Sequence, residues 1–199
     1  MKDIIKKIKD NKLLFIITII TIIFLIMGIL YPALITKSNK TLIKSSLDNF
    51  FLAIKNNKLN YQASIISTLT SNVIITLLIW LLGISIIGLP VIIMLLIAKS
   101  FILGFSISSI ISVYKVKGIL IAIVYIIPIV INLLISYILC YYAISFSIML
   151  FNYLFRKREY SRKIIVKRYI KILLFSISSI IVSSVVEVFL IPIILKYII

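Results

Sequence analysis

Histidine is absent from the 199-residue chain. That excludes histidine acid–base catalysis and histidine-ligated metal sites. Cysteine occurs once, as Cys140, so neither an internal disulfide nor a thiolate metal cluster can form. Acids are almost as scarce: Asp3, Asp10, Asp48, Glu159 and Glu187 are the only five. An intramembrane aspartyl protease needs two membrane-embedded aspartates, and the apolar runs hold none. There is no Walker-type phosphate loop and no dinucleotide fingerprint. The chain is poorly equipped for chemistry by its own side chains, and the reading is that it is not an enzyme and carries no cofactor.

What is abundant is apolar. Hydrophobic residues make up 63% of the chain, against roughly 45–50% in a soluble domain. A water-soluble fold of this length has nowhere to bury them, so the chain reads as an integral membrane protein. The net charge of +17 does not point to nucleic acid, because the positive residues flank apolar runs as the positive-inside rule expects. They suit an anionic lipid bilayer, at about 1 kcal/mol per basic residue near the surface.

Residues 1–12 carry five lysines, with Ile4, Ile5 and Ile8 on one face, and read as a short interfacial helix. A charge-free run, 13–35, is long enough to cross a bilayer, which takes roughly 20 residues. It is too long for the apolar core of a signal peptide, so it reads as an uncleaved anchor. Residues 36–63 form an outer amphipathic segment, with Ile43, Leu47, Phe50, Phe51 and Ile54 at helical spacing. Two readings stay open for that face. It lies on the membrane surface or the bundle, or Leu47, Phe50, Phe51 and Ile54 dock a partner.

Further spans are read at 64–82 and 91–113, separated by the helix-breaking Gly83, Gly88 and Pro90. Lys115 and Lys117 mark a short loop. The apolar stretch 118–155 counts as one crossing, with Pro128 expected to divide it into a short piece and a long span. Residues 156–171 form a strongly basic cytoplasmic loop, and a final span covers 172–195. Both the N-terminus and the basic loop should lie inside, so an even number of crossings separates them. The expectation is one all-α transmembrane domain over 1–199: a polytopic bundle with about five crossings, Gly/Pro-broken helices, N-terminus in and C-terminus out.

Lys99 and Glu187 are the ionisable residues well inside predicted spans. An intramembrane charge is expensive, about 2.5–3.5 kcal/mol for lysine or aspartate on insertion scales, so the two are candidates to pair. The alternative is that Lys99 snorkels and Glu187 faces water or is neutral. A Ser–Lys hydrolase on Lys99 is conceivable and disfavoured. Asn132 suits an interhelical hydrogen bond, and Gly104 with Ser108 has the small-xxx-small spacing that lets helices approach. Pro90 and Pro128 open two weakly similar nine-residue stretches, which chance explains in so apolar a chain.

The block Trp80-Leu-Leu-Gly-Ile-Ser-Ile-Ile-Gly-Leu-Pro90 resembles the stage II sporulation protein M family. The likeness continues through Lys99 with Gly104-Phe105, through Ala143-Ile-Ser-Phe-Ser147, and through Glu187-Val-Phe-Leu-Ile-Pro192. The family's polar group after the proline of the fourth stretch is reduced here to Asn132. The resemblance implies a role in endospore engulfment, in the membrane of the mother cell. It implies two peptidoglycan-degrading partners, stage II sporulation proteins D and P, for which the chain would be a non-catalytic anchor and scaffold. The competing reading is a transport or permease-like component, with Lys99, Asn132 and Glu187 as lining residues.

Overall fold

The computed structural model describes residues 11–156 and 162–198. The expected interfacial helix lies almost wholly outside the described residues, as do residues 157–161 of the basic loop. Among the described residues every regular element is helical: α1 (Lys12–Leu34), α2 (Lys37–Lys55), α3 (Tyr61–Leu82), α4 (Leu89–Arg156), α5 (Arg162–Val185) and α6 (Ile191–Ile198). A 3₁₀ turn, Ile86–Gly88, precedes α4, and a π-turn, Val186–Leu190, joins α5 to α6. The fold is an all-α membrane helix bundle.

Three of the helix starts are written locally in the sequence. Asn11, Thr36 and Asn60 each accept a hydrogen bond from the backbone three residues on, capping α1, α2 and α3. At the other end of α3, Gly83 is the C-cap and the chain turns through Ser85–Gly88. Pro90 then sits in the first turn of α4, where a missing N–H costs little.

Four helical segments are long and apolar enough to cross a membrane: Lys12–Leu34, Tyr61–Leu82, Ile86–Tyr153 and Val166–Ile198. The third is 68 residues long, about 100 Å if straight, against a hydrocarbon core of roughly 30 Å. It is not straight. Lys115 leaves helical geometry at φ 51°, ψ −122°, and the chain doubles back there. Ser136 meets Lys99, Cys140 meets the Ile92 carbonyl, and Ser147 meets the Ser85 carbonyl. The residue numbers fall along one arm as they rise along the other, so α4 is an antiparallel helical hairpin. The bundle therefore makes five passes.

The break at Lys115 corrects the expectation for Pro128. Backbone geometry stays helical through that proline. Pro128 is fully buried, and its carbonyl accepts a hydrogen bond from Ser183 of α5 at 3.0 Å. Neighbouring helices commonly make proline tolerable in this way inside membranes.

α1 packs along the hairpin with its N-terminus at the level of Tyr141, bonded through Asn11 at 2.6 Å. Higher up, Gly28 and Gly104 face each other. A Cβ on Gly28 would overlap the Phe101 carbonyl oxygen, and one on Gly104 would overlap that of Leu25. The two backbones touch, which only glycine permits. The end holding Asn11 and the 83–88 turn is called the near end; the Lys115 turn, α2 and α6 lie at the far end. At the near end Tyr169 stacks between Phe146 and Trp80, with ring centroids 4.2 and 5.4 Å away, and donates to the Trp80 carbonyl at 2.7 Å.

Candidate functional site

Two polar regions sit inside this apolar frame. The first is at mid-bundle. Lys99 lies on the ascending arm of α4 and Ser136 on the descending arm. The Lys99 Nζ donates to Ser136 Oγ at 2.8 Å, and Ser136 Oγ donates to the Asn132 carbonyl at 2.9 Å. Lys99 therefore does not snorkel free; the hairpin supplies its partner. Ser136 is 1% exposed, so a Ser–Lys arrangement exists but its hydroxyl is sealed in packing. Asn132 is buried too, and its Oδ1 has no hydrogen-bond partner.

The second region is at the far end. Glu187 sits in the π-turn and lines a cavity of about 420 Å³. Tyr61, Ser64, Ser67 and Thr68 of α3 face the same cavity, with Tyr125 of α4 and Pro192 of α6. The spacing 61, 64, 67, 68 places those four residues on one face of α3. Lys99 and Glu187 are within reach of each other's charge. They form no direct ion pair: the ammonium is committed to Ser136, and the carboxyl makes no hydrogen bond with any described residue.

The glycines and prolines are structural. A Cβ on Gly83 would overlap the Tyr169 hydroxyl, and one on Gly88 would overlap the Leu82 carbonyl. Pro192 is buried beside Glu187. On α2 the amphipathic face divides. Phe51 and Ile54 are 5% and 3% exposed, packed with Ile110, Ile121, Ile191 and Leu195. Tyr114 meets Phe51 edge to face and donates to Asp48. Phe51 and Ile54 thus fasten α2 to the bundle and offer no surface to a partner. Leu47 is half-buried against the same cluster and lines a second cavity, of about 410 Å³, between α2 and the ascending arm. Phe50 lines both cavities and stays 38% exposed, and Leu42 and Leu52 project further at 62% and 54%.

Sequence reasoning missed Ser136, Gly28, Tyr125 and the hydroxyl face of α3. Only the last carried a readable signal, hydroxyl residues three and four apart at the start of a span. Among the described residues no group of three His, Cys, Asp or Glu side chains could hold a metal.

A five-pass helical bundle, closely packed at mid-depth and carrying an amphipathic helix across one end, defines a polytopic integral membrane protein. The chain belongs to the stage II sporulation protein M family, whose model matches residues 14–192. It is therefore a sporulation-related membrane protein. No curated protein and no solved structure matches the chain.

Proposed function

We propose that the protein is a non-catalytic membrane anchor and scaffold for a peptidoglycan-remodelling complex in endospore engulfment. In this reading it resides in the mother-cell engulfing or septal membrane. Its partners are the peptidoglycan-degrading stage II sporulation proteins D and P. The near end, flanked in sequence by the basic 156–171 loop, faces the cytoplasm by the positive-inside rule, and α2 faces outward.

The observation that carries this reading is the way α2 is held. Phe51, Ile54 and the Tyr114–Asp48 contact fix one face of the helix to the bundle. Leu42, Phe50 and Leu52 then remain exposed on a rigid platform at the level of the outer surface. Rigid presentation of apolar anchors lowers the ordering cost of binding. The catalytic inventory agrees: no histidine, one cysteine, and a Ser–Lys contact with no room for a substrate. The transport reading has less behind it, because Lys99 and Asn132 line neither far-end cavity.

The test is co-isolation. The chain, tagged at its N-terminus, is extracted in mild detergent from sporulating cells and its companions are identified. Recovery of the two peptidoglycan-degrading proteins, lost on changing Leu42, Phe50 and Leu52 to serine together, is the expected result. Recovery of an ATPase or a solute-binding protein in their place would overturn the scaffold.

A further inference from the structure

We propose that the far-end cavity at Glu187 binds a primary ammonium group, carried by a phospholipid headgroup or by a small free amine. The proposal does not rest on the scaffold reading.

Charge is the first argument. The protein carries +17, yet among the described residues no lysine or arginine lines this cavity, and its one carboxyl is Glu187, which the charge of Lys99 reaches only from outside the lining. The remaining polar walls are hydroxyls, which accept hydrogen bonds as readily as they donate them. A lone carboxylate ringed by neutral acceptors favours a cation that brings several N–H donors of its own.

Unmet hydrogen bonding is the second. Several hydroxyls elsewhere in the bundle are spent, although Ser109 and Ser184 are buried without a partner among the described residues. Thr18, Thr21 and Ser100 bond back to the preceding turn, and Tyr114, Tyr137, Tyr141 and Tyr169 each have a partner. Glu187, Ser64, Ser67, Thr68 and Tyr125 form no side-chain hydrogen bond with any described residue. Five such groups line one partly open space, where their donors and acceptors stay available to water or to an occupant.

Size and local geometry decide which cation. About 420 Å³ falls within the roughly 300–1,000 Å³ of small-molecule sites. A bare inorganic cation would reach only some of these oxygens at once. The aromatic faces of Tyr61, Tyr125 and Phe50 add a surface that attracts alkylammonium groups. Glu187 is set into a π-turn, a rare interruption found mostly at functional positions. The site lies beside the first two turns of α3, the depth at which a headgroup amine or a solute from the outer aqueous phase would arrive.

The experiment uses the full chain purified in mild detergent. One arm measures lipids retained in native mass spectrometry after exchange into mixed phosphatidylethanolamine and phosphatidylglycerol. The other titrates free ethanolamine against the lipid-stripped protein by calorimetry. At least a tenfold preference for phosphatidylethanolamine, removed in Glu187→Gln, assigns the site to a lipid headgroup. Ethanolamine binding that is removed in Glu187→Gln, without a lipid preference, assigns it to a free amine. Absence of both, or either one surviving intact in a folded Glu187→Gln protein, overturns the proposal. Should that variant fail to fold, Tyr125→Phe with Ser67→Ala replaces it. A tenfold weakening is then expected, and unchanged binding is the overturning result.

Discussion

Lys99 and Glu187 pose the same physical problem, an ionisable side chain inside an apolar bundle, and the protein handles them in opposite ways. Around Lys99 the helices close up. The hairpin of α4 brings Ser136 to the ammonium, and Ser136 in turn satisfies the Asn132 carbonyl. Around Glu187 the helices open: the α-helical ladder is interrupted by a π-turn, and the carboxyl faces a cavity with hydroxyls that no described residue engages. The closed region is where backbones meet at Gly28 and Gly104. The open region lies between α2, the start of α3, the descending arm of α4, the π-turn and α6. At mid-depth close packing satisfies the ammonium while leaving the Asn132 Oδ1 unpartnered; at the far end the carboxyl and the hydroxyls face open space.

The contrast can be broken most forcefully at mid-depth. Gly104→Val should cost about 3 kcal/mol or more, because its first carbon already overlaps the Leu25 carbonyl and neither backbone can give way. Melting in detergent and accumulation in membranes measure it; a variant as stable as the parent would mean that α1 does not sit against the hairpin. Ser136→Ala should cost about 1–3 kcal/mol by stranding a buried ammonium. Its melting should recover in Ser136→Thr, which keeps the hydroxyl. Equal losses in both variants would point to packing alone.

Two smaller effects sharpen the comparison. Lys115→Gly should raise stability by about 1 kcal/mol, since a non-glycine residue is held at positive φ there. A loss on that change would argue against the sharp reversal at Lys115. Ser67→Ala at the cavity should change stability by less than about 0.5 kcal/mol, as surface-like substitutions do. A cost as large as that of Ser136→Ala would erase the distinction between the two regions.

Much of the fold was legible in the sequence because its causes are local. The apolar runs are as long as a bilayer requires, the caps at Asn11, Thr36 and Asn60 precede them, and Gly83 to Pro90 cannot continue a helix. Parity between basic segments led to five passes. Pro128 misled because a proline's effect depends on its neighbours, and Ser183 lies 55 residues away in sequence. The candidate site was legible only in part. Lys99 and Glu187 stood out as lone charges, but which serine meets Lys99 depends on the register of a hairpin whose turn is an ordinary lysine. The π-turn leaves no mark in hydrophobic periodicity. On α2 the sequence pattern defined an apolar face, but only packing separates the buried Phe51 and Ile54 from the partly exposed Phe50, and the exposed Leu42 and Leu52 lie outside that pattern.

Cys140 is fully buried, against the Ile92 carbonyl. The natural chain is thus already a silent background for thiol labelling. In the orientation proposed above, a cysteine placed at Ser38 on α2, or in place of Lys115, would be the one thiol that a membrane-impermeant maleimide reaches from outside intact cells. One placed at Lys167 would react only after the membrane is opened. Three such substitutions would orient the entire bundle without removing a native residue that packs in its core.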